Sequence, residues 1–291
     1  MSHDRFPHLA QRLFNVPLAI RPEKAEIIVA ALADRLGVTR LRRGDGSLMA
    51  LAPMLAAADD EEGREAASGY DLVAGVAVIP VCGTLVQRLG TLRPFSGMTG
   101  YDGIRQNFLA ALADGKAGAI MLDIDSPGGE VAGCFDLADT IWRARGSKPV
   151  WAVVNEMACS AAYALASATD RITVPRTGVV GSVGVIALHV DLSKALEEAG
   201  ITVTLIQYGA RKSDGSEVIP LAPEARNRFQ TDIDAVGKLF VNTVARNRKL
   251  DAAKVQVTEA GTFLGAAGVA AGFADGVMAP DEAFRALART I

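Results

Sequence analysis

The chain has 291 residues, half of them hydrophobic, which is enough to bury a sizeable core in one large domain or two small ones. Thirty Lys and Arg against 33 Asp and Glu give a formal net charge of -3 and a pI near 5.7, so there is no basic excess to hold a nucleic-acid backbone. Three cysteines, Cys82, Cys134 and Cys159, are too few and too irregularly spaced for a disulfide framework or a paired-cysteine zinc site, and they point to a reducing compartment.

Met1 to Pro7 carries His3, Asp4 and Arg5 and leads into no apolar run with a small-residue cleavage site, so the expectation is a cytoplasmic protein that is not secreted. Glu23 to Leu36 places Ile27, Ala30 and Ala31 at helical intervals and stops at Gly37, which predicts a short amphipathic helix in a leader over residues 1–55. Residues 56–69, rich in Ala, Asp, Glu and Gly, are too polar to pack a core and read as a linker. The remaining domain, 70–291, opens with an uncharged stretch, Leu72 to Gln87. Pro80 and Gly83 interrupt it and it falls short of the roughly 20 residues of a membrane helix, so no membrane anchor is expected.

From there, β-branched runs alternate with helical patterns. Strands are predicted at Val73 to Pro80, Ala119 to Asp123, Val150 to Val154, Arg171 to Val174, Val183 to His189 and Val203 to Gln207. Helices are predicted at Tyr101 to Ala113, Glu130 to Ala144, Ser160 to Ala168, Leu192 to Ala199 and Pro223 to Arg248. The alternation argues for an α/β domain with largely parallel sheets.

Two strand ends carry chemistry. After Ala119 to Asp123 comes Asp125-Ser126-Pro127-Gly128-Gly129, whose glycines permit a sharp turn with outward N–H groups, as an oxyanion site requires. Taken alone it also reads as an ordinary strand-to-helix turn. After Val150 to Val154 comes Asn155-Glu156-Met157-Ala158-Cys159-Ser160-Ala161-Ala162-Tyr163, which opens a helix of small residues. Ser160 there suits a nucleophile, or simply caps the helix.

A serine hydroxyl needs a base, and histidine is the usual one. His3 and His8 lie in the leader, and His189 sits in an apolar strand where a core role suits it better. A lysine can serve if desolvation lowers its pKa from about 10.4 toward about 7 to 8. Lys212, in the loop Tyr208-Gly209-Ala210-Arg211-Lys212, is best placed by topology, although by residue type it is a solvated surface charge.

These segments stand in order with Gly178-Val179-Val180-Gly181-Ser182-Val183-Gly184-Val185, and over Val73 to Val277 the pattern resembles the S49 peptidase family of signal peptide peptidase A and the phage capsid proteases. The resemblance implies a ClpP/crotonase-like fold of repeated β-β-α units and a Ser-Lys dyad on Ser160 and Lys212. It also implies oxyanion donors at Gly129 with Gly128 and at the Ala161 N–H, and a lysine-orienting hydroxyl on Ser182. No metal or cofactor is called for.

Ser160-Ala161-Ala162-Tyr163 stands where membrane-bound members have Ser-Gly-Gly-Tyr. With the missing anchor and the leader segment Phe14-Asn15-Val16-Pro17-Leu18, this looks more like the phage or prophage branch, whose members cleave scaffold, portal or capsid proteins in the host cytoplasm or prohead. Polypeptide substrates and a closed homo-oligomer, with clefts completed at subunit interfaces, are implied as well. The competing readings are a cytoplasmic signal-peptide-peptidase-like protease, a crotonase-like acyl-CoA enzyme that would need neither Ser160 nor Lys212, and a non-catalytic capsid assembly factor.

Overall fold

The computed structural model describes residues 14–25, 28–29, 41–42, 48–49, 69–89 and 97–291. In chain order the strands and helices begin with β1 (Pro17–Ile20), the mutually paired β2 (Leu41–Arg42) and β3 (Leu48–Met49), β4 (Asp71–Val73), β5 (Val76–Val86), β6 (Met98–Gly100) and α1 (Tyr101–Ala113). There follow β7 (Ala119–Glu130), α2 (Cys134–Arg143), β8 (Val150–Cys159), α3 (Ala161–Ser167), β9 (Arg171–Val174), β10 (Val179–Gly181), β11 (Ile186–Ala187) and α4 (Ser193–Glu198). The chain ends with α5 (Pro223–Arg248), α6 (Ala252–Gln256), β12 (Thr262–Leu264), α7 (Ala266–Ala270), β13 (Gly276–Val277) and α8 (Pro280–Ala288).

β5, β7, β8 and β9 pair in parallel, and β10 adds to β8 in parallel, which makes this an α/β protein with largely parallel sheets of the ClpP/crotonase-like kind. Central parallel strands are covered on both faces, and β7 accordingly opens with the continuous apolar run Ala119-Ile120-Met121-Leu122, all buried. The long strands are not regular throughout. Register slips between Cys82 and Thr84 on β5 and between Ile124 and Ser126 on β7 bend them, so their two halves meet different neighbours. β8 thus pairs with β9 through Trp151 to Val153 and with β10 through Met157 to Cys159.

The helices fold back onto this sheet and close the main core. Ile104 and Phe108 of α1, Leu137 and Ile141 of α2 and Tyr163 and Leu165 of α3 are all fully buried in it. Each such large side chain contributes about 1.5–3 kcal/mol. The Tyr163 hydroxyl donates to Phe273 O at 3.0 Å and its ring stacks on Phe273 at 4.9 Å, which fixes α3 beneath the sheet.

Several boundaries move from the sequence expectation. The helix expected from Glu130 starts at Cys134, because β7 continues as paired strand through the glycine turn to Glu130. The strand expected at Val183 to His189 shrinks to Ile186–Ala187. The strand expected at Val203 to Gln207 is absent: residues 201–207 join no strand among the described residues and are exposed, since β-branched residues form a strand only against a partner edge and a buried face. Of the leader helix, residues 22–25 and 28–29 are helical and the rest of Glu23 to Leu36 lies outside the described residues, as does the linker 56–69 apart from Gly69.

Candidate active site

β8 ends at Cys159 and α3 begins at Ala161, so Ser160 alone makes the turn, with φ 54° and ψ −120°. A non-glycine residue in such a conformation costs on the order of 1–3 kcal/mol and persists only where its surroundings enforce it. Here the Ser160 N–H donates to Gly181 O at 2.8 Å and the Ala164 N–H donates to Ser160 O at 3.0 Å. Ser160 occupies the helix N-cap position, yet its side chain caps nothing. Its hydroxyl lies 3.4 Å from Gly184 O instead, and the residue is fully buried. A sharp strand-to-helix turn that holds a serine hydroxyl away from its own helix is the geometry of a nucleophile elbow.

The glycine turn abuts that hydroxyl. Gly128 has φ +105°, and a Cβ there would come within 2.2 Å of Ala19 O and 2.9 Å of Ser160 Cβ. At Gly129 a Cβ would lie 1.8 Å from Leu85 O, so neither position accepts a side chain. Ser126 stiffens the turn: its buried hydroxyl donates to Gly83 O at 2.6 Å and accepts the Gly128 N–H at 3.2 Å. The Gly128 donor is therefore already partnered. Among the described residues the Ala161 N–H, in the first turn of α3, has no backbone partner outside its helix.

Ser182 lies next to the Gly181 carbonyl that anchors Ser160. It is nearly buried with φ 57°, its N–H donates to Gly261 O at 2.9 Å, and among the described residues its hydroxyl makes no hydrogen bond. Lys212 stands apart from this group. Residues 201–212 are exposed throughout, the Lys212 N–H donates to Gly209 O at 3.1 Å, and among the described residues its amine pairs with nothing. The structure brings Ser160, Gly128, Gly129, Ala161 and Ser182 together and leaves Lys212 outside, on an uncovered segment.

His189 is half-buried, and its Nδ1 lies 2.8 Å from Asn15 Oδ1 rather than against Ser160. The Cys159 thiol is pushed up to about 11 by burial, and Cys82 likewise to about 11, so neither offers a thiolate at neutral pH. Asp123 and Asp125 are raised, chiefly by burial, with Asp123 accepting from the Asn155 amide. Among the described residues no group of three or more His, Cys, Asp or Glu could hold a metal ion, and no helix is long and apolar enough to cross a membrane.

One neighbour of the site was not anticipated. β1 lies antiparallel against the glycine turn, pairing Leu18 with Glu130, Ala19 with Gly129 and Ile20 with Gly128. The signal for it was present as a five-residue apolar run, Val16 to Ile20, bounded by Asn15 and Arg21.

A serine at a sharp strand-to-helix turn beside a two-glycine turn on a parallel α/β scaffold is an arrangement in which serine hydrolases hold their nucleophile. The family follows from comparison: the profile of peptidase family S49 matches residues 143–290, and this chain belongs to that family. The head-tail preconnector protein GP5 of Enterobacteria phage P21 is 43% identical over 287 residues, 98% of this chain and 57% of that protein. Capsid assembly protease C of Escherichia phage lambda is 42% identical over 274 residues, 92% of this chain and 62% of that protein. The chain thus spans less than two thirds of either phage protein. The chloroplastic serine protease SPPA of Arabidopsis thaliana is 30% identical over 146 residues, covering 48% of this chain and 21% of that protein.

Proposed function

We propose that this chain is a serine endopeptidase that acts in phage or prophage head maturation on scaffold, portal or capsid polypeptides. The observation that carries the reading is the Ser160 elbow: a buried hydroxyl that caps nothing, set against Gly128 and Gly129, in a chain of family S49. The similarity to a phage capsid assembly protease over 92% of this chain supports the head-maturation role.

In the proposed mechanism the Lys212 amine removes the Ser160 proton and Ser160 attacks a peptide carbonyl. The Gly129 and Ala161 N–H groups receive the oxyanion, with Gly128 able to join only by giving up its bond to Ser126 Oγ. The tetrahedral intermediate collapses and the amine leaves with the lysine's proton. Water, activated by the same amine, then releases the acyl group. Ser182, with its free hydroxyl, would orient the lysine.

An ammonium gives up its proton near neutral pH where burial or a neighbouring positive charge disfavours its own charge. The exposed segment 201–212 offers no such burial, so the dyad requires that segment to be covered, and a closed homo-oligomer would cover it. The decisive experiment is labelling with a serine-directed fluorophosphonate followed by peptide mapping. The label belongs on Ser160 and must disappear in Ser160→Ala; labelling that survives this substitution overturns the assignment.

A non-catalytic role in head assembly is the second reading, favoured by the similarity to a head-tail preconnector protein over 98% of this chain. Turnover of a co-expressed scaffold polypeptide separates the two.

A further inference from the structure

β1 occupies an unusual place in the sheet. It is inserted between β7 and β11 and runs antiparallel to both, pairing Leu18 with Glu130 and with Ile186, Pro17 with Ala187, and Ile20 with Gly128. β7 and β8, which build the site, lie in parallel sheet, so β1 is a strand added across its mouth rather than part of its frame. Its neighbours are the two-glycine turn on one side and, on the other, the segment that carries Gly184, whose carbonyl faces the Ser160 hydroxyl. Ala19 O and Ser160 Cβ crowd the same missing Cβ of Gly128. With β1 in place Ser160 has no exposed surface.

The side chains alternate as a strand's must. Ala19 faces inward to the main core cluster, while Leu18 and Ile20 are buried in a separate small cluster with Phe14, Ala25 and Val29, backed by Ile186, Leu188 and Val190. Apart from Ala19, then, β1 can leave without opening the main core. The groove also continues beyond both ends of the strand. An open cavity of about 620 Å³ lies at its start, lined by Val16, Pro17, Gln87 and Val131, and another of about 400 Å³ at its end, lined by Arg21, Gly83, Pro127 and Met157.

We propose that Pro17–Ile20 is an intramolecular occupant of the substrate groove. Substrates enter as extended polypeptides antiparallel to Gly128–Glu130, and β1 must be displaced before they can. The proposal rests on Ser160 being the nucleophile. Removing β1 leaves two strand edges one strand apart, with backbone donors and acceptors on both sides, which is the geometry for capture of a peptide by strand addition. The register assigns the preference: a small residue where Ala19 sits, flanked by branched apolar residues where Leu18 and Ile20 sit. Asn15 holds the occupant in place, its N–H donating to Leu188 O at 2.7 Å, its side-chain amide to Gly215 O at 2.9 Å, and its Oδ1 accepting from His189.

The test uses the full chain and an internally quenched peptide containing Pro-Leu-Ala-Ile-Arg. Asn15→Ala and Leu18→Asp, which loosen β1 without touching the machinery, should each raise kcat/KM about tenfold through KM. That is the gain expected when a groove open about a tenth of the time is freed. Both should also speed fluorophosphonate labelling of Ser160. A second measurement needs no catalysis: in Ser160→Ala, an excess of the unlabelled peptide should strip hydrogen-exchange protection from the amides of residues 18–20. Labelling of Ser160 at equal rates in all three proteins, with kcat/KM unchanged, overturns the occupancy while leaving the nucleophile intact. Absence of label at Ser160 in all of them instead sinks the peptidase reading. Amides 18–20 that stay protected at saturating peptide overturn the occupancy whichever way the labelling falls.

Discussion

His189 and Asn15 are bound to each other, Nδ1 to Oδ1 at 2.8 Å, and this relationship fixes the tautomer of the histidine. Asn15 spends its NH₂ on Gly215 O, so its Oδ1 must accept and Nδ1 must carry the proton. The other nitrogen, Nε2, is buried without a partner among the described residues. The imidazole therefore serves the seating of the leader, not Ser160. His189→Gln should leave the rate of peptide cleavage within a few-fold of wild type. Lys212→Ala should lose nearly all turnover, and Lys212→Arg as well, because a guanidinium does not give up its proton near neutral pH. An inactive but folded His189→Gln beside an active Lys212→Ala would require the dyad to be redrawn.

Ser160→Ala should abolish cleavage without lowering stability. A serine that caps a helix loses about 1 kcal/mol on replacement by alanine, but Ser160 makes no such bond, so the urea midpoint should not fall. Cys159→Ala should keep most activity, since burial holds that thiol at about 11 and the residue precedes the elbow inside β8. Parallel measurement of cleavage and denaturation separates loss of chemistry from loss of fold.

The strands of the parallel frame were legible because each is a short apolar run ended by a turn: Ala119 to Asp123, Val150 to Val154 and Arg171 to Val174 all lie within observed strands. The elbow was legible as a serine between a strand and a small-residue helix, though its positive φ was not, since nothing in Cys159-Ser160-Ala161 demands it locally. It is imposed by the Gly181 carbonyl, 21 residues further along. β1 was missed for a related reason. Four residues, Pro17 to Ile20, acquire strand character only from partners more than 100 residues away at Gly128 and Ile186. Val203 to Gln207 failed in the opposite sense, with strand propensity but no edge to join.

Arg248 and Asp275 clamp the end of α5 to the loop before β13. Two guanidinium nitrogens bond the carboxylate at 2.9 and 2.7 Å, and the same carboxylate accepts the Ile172 N–H at 2.7 Å. Burial pushes the Asp275 carboxyl up, but the bonds from Arg248 and Ile172 together outweigh it and hold it below the usual carboxylate range. A depressed folded-state value means the stabilisation is fully present above the unfolded value of about 3.9 and is lost as pH falls through the folded one. Asp275→Asn should therefore cost about 1–3 kcal/mol at pH 7, read from urea midpoints. The difference from wild type should vanish in strong acid, and an undiminished difference there would refute the assignment.

The proposed base, Lys212, lies at the end of an exposed segment. Ile206 and Tyr208 are almost completely exposed, and Ile201, Val203 and Leu205 are partly so, in a stretch whose backbone has no strand partner among the described residues. Apolar residues gathered on unpaired backbone are what an interface covers and what an isolated chain would leave prone to aggregation. Light scattering should therefore find more than one chain per particle. Ile206→Asp with Tyr208→Asp should shift the protein toward monomer, because burying two carboxylates at an interface is unfavourable. The monomer should retain the fold, since neither side chain touches the core, and should lose peptide cleavage, since Lys212 at the end of the same segment would remain in water. A monomer that cleaves at the wild-type rate would show that the base is assembled within one chain and that this surface serves something else.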